Sequence, residues 1–234
     1  MSAARTIWAN DLRNIVRDRT VGVLLVVPVV FLVLLRFGYP MAERYAPEAA
    51  DQAPLVLAAF CLIAGTFPAF MTSFIMLDER DQGVFAALRV LPVAPARLLA
   101  YRLSVVAALS VCYPAILIAG TGLADGPLWR LAVLVVLCAV GSPAATLLVV
   151  AVAGNKIEGL TLFKGLFFVL ALAGAAVAQP GWWTWPVGLL PTYWVYAAFD
   201  AATTTRFLTA AVVAVAYHAL VIAVAWRRFR RRVF

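Results

Sequence analysis

Charge is scarce in this sequence. Asp, Glu, Lys and Arg make up 13% of its 234 residues, while 65% are apolar. A soluble domain carries about 25% charged and about 45–50% apolar residues. Too few charges exist here to cover a water-facing surface, so a soluble enzyme or binding module is excluded. Disorder requires the opposite composition and is excluded with it. Histidine occurs once, at His218, which removes HExxH motifs and paired-histidine metal sites. The three cysteines, Cys61, Cys112 and Cys138, lie in apolar runs without CxxC spacing; they read as reduced, buried thiols. A GxxxxGK[ST] phosphate loop and a GxSxG elbow are both missing, so the chain has no visible means of hydrolysing ATP or acting as a serine hydrolase. Ion-coupled transporters place ionisable groups within their spans. Here those groups gather at span ends and in loops, so any transport draws its energy from another subunit.

What the sequence does have is apolar length. About 20 predominantly apolar residues cross a bilayer as a helix, and six runs qualify: Thr20–Tyr39, Pro54–Leu77, Leu98–Leu123, Leu131–Ala153, Leu160–Ala178 and Phe207–Trp226. Lipid offers no hydrogen bonds to the backbone, so these runs must be helices. Residues 1–234 therefore read as one all-α integral membrane domain with no room for a second. The net charge of +8 resembles a nucleic-acid footprint until the charges are placed. With the N-terminus on the cytoplasmic side, 15 of the 19 Lys and Arg residues fall on cytoplasmic segments and 4 outside. That asymmetry puts both termini in the cytoplasm. Trp129, Trp182, Trp183, Trp185 and Trp194 then mark the outer interface, and Trp8 and Trp226 the inner one.

Three segments do not span. Residues 5–19 place Trp8, Leu12, Ile15 and Val16 on one helical face, with Arg13, Asn14, Arg17 and Asp18 turned away, which suits an interfacial amphipathic helix. Residues 179–203 are too apolar for an external loop, and Pro186 and Pro191 break them too often for a span; they read as a re-entrant pair of short helices in the outer leaflet before the last span. Residues 78–97 begin with Asp78, Glu79, Arg80 and Asp81. Gly83 then permits a sharp turn. Val84–Leu91 form a short helix with Phe85, Leu88 and Leu91 on one side, and Pro92 and Pro95 stiffen the return. Such a helix is a rigid plug for a groove on a partner.

At these residues the sequence resembles the permease subunits of type-2 ABC exporters, whose first cytoplasmic loop follows E-R-x-x-G-T-x-x-x-L-x-x-x-P. Glu79, Arg80, Gly83, Leu88 and Pro92 fill that pattern, with Val84 in the place of Thr. Asn155-Lys156-Ile157-Glu158-Gly159 and Leu190-Pro191-Thr192-Tyr193-Trp194 are similar to segments of the drug-export, fluoroquinolone-type members. The resemblance implies a half-size permease in a bacterial cytoplasmic membrane, paired with an identical or homologous permease and docked on a separate cytoplasmic ATPase. That partner would hold the ATP and Mg, and the permease would bind no cofactor directly. Glu79 and Arg80 would hold the loop to neighbouring helices while Phe85, Leu88 and Pro92 seat the coupling helix in the ATPase. Lys156 and Glu158 would make a smaller contact. Motion of the coupling helix and the N-terminal helix would open a path outward.

Phe60, Phe67 and Phe74 recur every seven residues in the second span beside Phe70, and Phe163, Phe167 and Phe168 cluster in the fifth. The resemblance puts these spans near the cargo path, where aromatic walls suit a hydrophobic or amphiphilic drug; ordinary packing or lipid contact is the alternative use. Haem-, lipid- and polysaccharide-export permeases share this size and topology. A non-transport scaffold, or a lipid-modifying enzyme using His218 or Asp200, are the readings from other classes.

Overall fold

The computed structural model describes residues 19–83 and 95–233, with side chains described for 26–83 and 100–229. Every regular element among them is a helix. The order is α1 (Arg19–Val33), a π turn (Leu34–Gly38), α2 (Tyr39–Tyr45), a 3-10 turn (Pro47–Gln52), α3 (Ala53–Asp81), α4 (Pro95–Thr121), α5 (Leu128–Val152), α6 (Lys156–Ala178), α7 (Thr184–Val187), α8 (Pro191–Phe199) and α9 (Thr204–Val233). Six stretches are long and apolar enough to cross a membrane. They coincide with the six expected runs, and most extend beyond the apolar core at one or both ends. Residues 5–18 of the expected interfacial helix lie outside the described residues, and Arg19 opens α1.

The first span shows why the apolar run alone misplaces an end. It was expected to stop at Tyr39, yet the helix continues to Tyr45. Pro40 has no N–H and would break an ordinary ladder. The π turn just before it re-pairs the backbone, with Tyr39 N–H bonding the Leu34 carbonyl five residues back. The Tyr39 hydroxyl then donates to the Ala49 carbonyl and ties this end to the next turn.

Burial separates the central spans from the outer ones. In α5 67% of the apolar window is buried and in α3 50%, against 17% in the first span and 22% in α6. Accordingly α3 packs on α4, α5 and α6, while α5 also carries α9. At their crossing, a Cβ on Gly65 would lie 3.2 Å from the Cys138 carbonyl oxygen, so a side chain there would push the two backbones apart. The same residue anchors a third helix: the Gly65 carbonyl accepts hydrogen bonds from Ser110 of α4 at 2.8 Å and from Ser142 of α5. Both serines are buried.

Two arginines bond carbonyls at the end of the bundle opposite Asp81. Arg36 donates to the Thr121 carbonyl at 3.2 Å, closing α4, where a helix end leaves carbonyls unpaired. Arg130 donates to the Ala201 carbonyl in the connection between α8 and α9 and lies 4.7 Å from the Phe207 ring centroid.

The expected pair of short helices before the last span is α7 and α8. Pro186 sits within α7 rather than breaking the segment; the break is at Gly188–Leu190, and Pro191 opens α8. Trp194 Nε1 donates to the Gly188 carbonyl at 2.8 Å and folds one helix onto the other. α8 buries Val195, Tyr196, Ala198 and Phe199 against α6 and α9, whereas Trp182 and Trp185 are exposed.

Candidate functional site

The charged run Asp78-Glu79-Arg80-Asp81, expected at the exit of the second span, forms the last turn of α3. Successive residues on a helix point about 100° apart, so the four charges of one turn fan out over three neighbouring helices, with Asp78 and Asp81 sharing Lys156.

Glu79 meets Arg102 of α4, both carboxylate oxygens accepting from the guanidinium at 2.5 Å. Bidentate geometry makes this the strong form of the pair, and its side chains are only 20% and 23% exposed. Arg80 points to the end of α5, donating to the Ala153 carbonyl at 2.7 Å and the Val150 carbonyl at 3.3 Å. A cation is favoured there because the last carbonyls of a helix are unpaired and carry its negative dipole end. Asp81 accepts the Lys156 backbone N–H, the first of α6, at 3.2 Å, where the dipole favours an anion. Asp78 takes the Lys156 ammonium at 3.2 Å. That pair is about half exposed and contributes little by itself. The last turn of α3 thus grips α4, α5 and α6 together.

The helix ends on a left-handed residue. Gly83 has φ +74°, a conformation that glycine adopts without strain, and its N–H bonds the Arg80 carbonyl at 3.0 Å. The chain leaves there and returns at Pro95, and Glu79–Arg102 braces the two shoulders. Phe85, Leu88 and Pro92, expected on the coupling helix, lie outside the described residues.

Asn155–Gly159 resolves into local physics. The Asn155 side chain accepts the Glu158 N–H at 2.9 Å, while Glu158 reaches back to the Gly154 N–H at 2.6 Å and the Asn155 amide at 3.2 Å. This is a capping box that starts α6. A Cβ on Gly159 would fall 2.4 Å from Leu77 Cδ1, and Leu77 is fully buried, so a larger residue there would force Leu77 to repack between α6 and α3. Lys156 and Glu158, expected as a secondary contact, are both engaged within the chain.

Four of the seven candidate phenylalanines cluster, and three stand outside the cluster. Phe70 lies 4.9 Å from Phe163 edge-on, 4.6 Å from Phe74 and 6.5 Å from Phe67. Lys156 Nζ sits 5.8 Å from the Phe74 ring, linking this cluster to the charged turn. Phe60 stands apart and packs edge-on to Phe31 of α1 at 4.9 Å. Phe167, like Phe60, packs against the central core, and Phe168 is exposed.

His218 and Asp200 do not meet. His218 is buried within α9, with Nδ1 on the Ala214 carbonyl at 2.8 Å. Asp200 is exposed at the end of α8, and the 14 residues from Thr204 to His218 span about 21 Å of helix. Partial desolvation raises the Asp200 carboxyl above its ordinary pKa. Among the described residues no group of three or more His, Cys, Asp and Glu side chains could hold a metal.

Sequence reasoning singled out Glu79 and Arg80 but not Arg102 or the carbonyls of Val150 and Ala153. An arginine in the first turns of an apolar run was the one available signal for Arg102. Nothing in the sequence marks a carbonyl.

Comparison with known proteins agrees with this architecture. The family described as fluoroquinolones export permease protein Rv2686c-like matches residues 11–226. Two fluoroquinolones export permease proteins of Mycobacterium tuberculosis, from strain CDC 1551 / Oshkosh and strain ATCC 25618 / H37Rv, are each 31% identical over 235 residues. The match covers 95% of this chain and 92% of each relative.

Proposed function

The chain belongs to the fluoroquinolones export permease family and is a multi-pass membrane permease, and from that premise we propose that a separate cytoplasmic ABC-type ATPase drives it to move a fluoroquinolone-like amphiphile outward. ATP and Mg belong to that partner, and the permease itself binds no cofactor. Both termini and the Gly83 turn face the cytoplasm of a bacterial inner membrane. A second permease, identical or homologous, covers the thinly buried first span and α6. Among the export alternatives, the family found is the drug-export one, not the haem-, lipid- or polysaccharide-export ones.

One observation carries the mechanical part: the turn that leads into residues 84–94 is bonded to three spans at once through Glu79–Arg102, Arg80–Ala153 and Asp81–Lys156. A push from the ATPase delivered to this turn reaches α3, α4, α5 and α6 through these bonds. Phe85, Leu88 and Pro92 seat the segment in the ATPase, and Lys156 and Glu158 add a second contact. Phe67, Phe70, Phe74 and Phe163 form an aromatic wall beside this lever, with Phe60 and Phe167 farther along the same spans.

The test has two arms. Tagged permease in mild detergent should retain an ABC ATPase, and cells making both proteins should accumulate less fluoroquinolone than cells lacking them. Glu79→Ala should restore accumulation while leaving the protein in the membrane. Retention of no ATPase, together with full export by Glu79→Ala, overturns the coupling proposal.

A further inference from the structure

A cavity of about 250 Å³ lies inside one protomer, lined by α3, α5, α6, α8 and α9. Its walls are nearly all apolar, and three polar side chains stand out: Thr66, Thr192 and His218. Thr192 Oγ is one of two buried side-chain polar atoms without a hydrogen-bond partner among the described residues. A buried hydroxyl left unpaired is costly, and this one lines a space large enough to hold a partner for it.

His218 adds a directed acceptor. Its Nδ1 lies 2.8 Å from the Ala214 carbonyl. A carbonyl can only accept, so Nδ1 carries the proton. In the neutral ring the other nitrogen, Nε2, is then an acceptor. Nε2 faces the opposite wall, where a Cβ on Gly141 would lie 3.2 Å from it. Gly141 keeps that acceptor open. Thr66 uses its proton on the Leu62 carbonyl at 2.6 Å and offers only lone pairs. The cavity therefore presents acceptors and one versatile hydroxyl within an apolar shell.

α6 and α9, which supply Leu166 and Val221, hardly touch one another; each is held through α8 and through the central spans. A route between these two helices would admit a molecule dissolved in the bilayer.

We propose that this cavity binds a small aromatic amphiphile that donates a hydrogen bond to His218 Nε2 and accepts one from the Thr192 hydroxyl. That such a molecule is the exporter's cargo rests on the reading above; that the cavity binds it does not. A lipid chain would fill the space but has no donor at this depth, so the polar groups discriminate between the two occupants.

The experiment uses the purified permease in lipid nanodiscs, with 2-naphthol as probe, naphthalene as the donor-free control and empty nanodiscs as background. Saturable binding of 2-naphthol is expected, weakened about tenfold by Thr192→Val and by His218→Leu, the loss of about one hydrogen bond. Naphthalene binding should change little in either variant. Gly141→Ala, which keeps both polar side chains, should also weaken 2-naphthol selectively by placing a methyl against Nε2. Thr192→Val should unfold no earlier than the parent, because it removes an unpaired hydroxyl, so its binding loss cannot be laid to misfolding. Equal affinity for the two probes, or variants that bind 2-naphthol like the parent, overturns the proposal. In cells with the ATPase, reduced fluoroquinolone export by Thr192→Val supports cargo passage through the cavity. Unchanged export in that variant overturns the cargo assignment alone, and no export by the unaltered protein overturns the export reading while the nanodisc result stands.

Discussion

Glu79 and Arg102 stand 23 positions apart and meet through both carboxylate oxygens at 2.5 Å, across the gap where the chain leaves α3 and returns to α4. The pair is mostly shielded, so neither member can be removed without leaving a charge in poor solvent.

Glu79→Gln should therefore lower stability by about 1–2 kcal/mol, between the values for exposed and buried pairs. The exchange Glu79→Arg with Arg102→Glu should recover part of that loss. Thermal unfolding in detergent reads both, and a double variant no more stable than either single one would show that the pair contributes no coupling.

Arg80→Lys should behave more like Arg80→Ala than like the parent. An ammonium keeps the charge but lacks the planar fork that spans two carbonyls. Hydrogen exchange at the end of α5, residues 149–153, should quicken in both variants and leave the Arg130 end unchanged.

Gly65→Leu should separate α3 from α5. The nearest atom to the new Cβ is a backbone oxygen at 3.2 Å, which cannot rotate aside, so about 2–3 kcal/mol of overpacking strain is expected. Gly38→Leu, where no atom lies within 4 Å, is the control and should unfold near the parent temperature.

Phe70→Ala should reduce export more than Phe60→Ala. Phe70 joins Phe67, Phe74 and Phe163 beside the charged turn, whereas Phe60 packs on Phe31 of the first span. Fluoroquinolone accumulation at matched membrane expression compares them; equal effects would remove the aromatic wall from the transport path.

An even number of spans returns the chain to its starting side. Single cysteines at Gln82 and Gln179, in a background lacking Cys61, Cys112 and Cys138, should label with an impermeant thiol reagent from opposite faces. Gln82 should react only in inverted vesicles. Labelling of Gln82 in intact cells would reverse the orientation drawn from the basic residues.

The six spans were legible because a membrane imposes one rule on any chain that crosses it. Backbone groups must pair within the segment, so length and apolar content alone decide where helices lie. The break before Pro191 and the left-handed turn at Gly83 were legible too, or nearly so, because proline and glycine act on their own backbone. The end of the first span was not. Pro40 is tolerated through a π turn, and that shift in pairing leaves no mark on hydropathy.

The sequence by itself thus determined the class of protein, the number of spans and the acidic–basic turn that draws attention to Glu79 and Arg80. Tertiary structure decided what those residues do. Arg102, the carbonyls of Val150 and Ala153, and the first N–H of α6 become partners of one helical turn only when four helices converge. The cavity has the same origin: Thr192, His218 and Gly141 share no pattern along the chain, and an apolar enclosure with polar groups facing inward exists only once α5, α8 and α9 pack around it. Contacts within a turn are written in residue spacing, whereas contacts between spans depend on which faces of the helices meet.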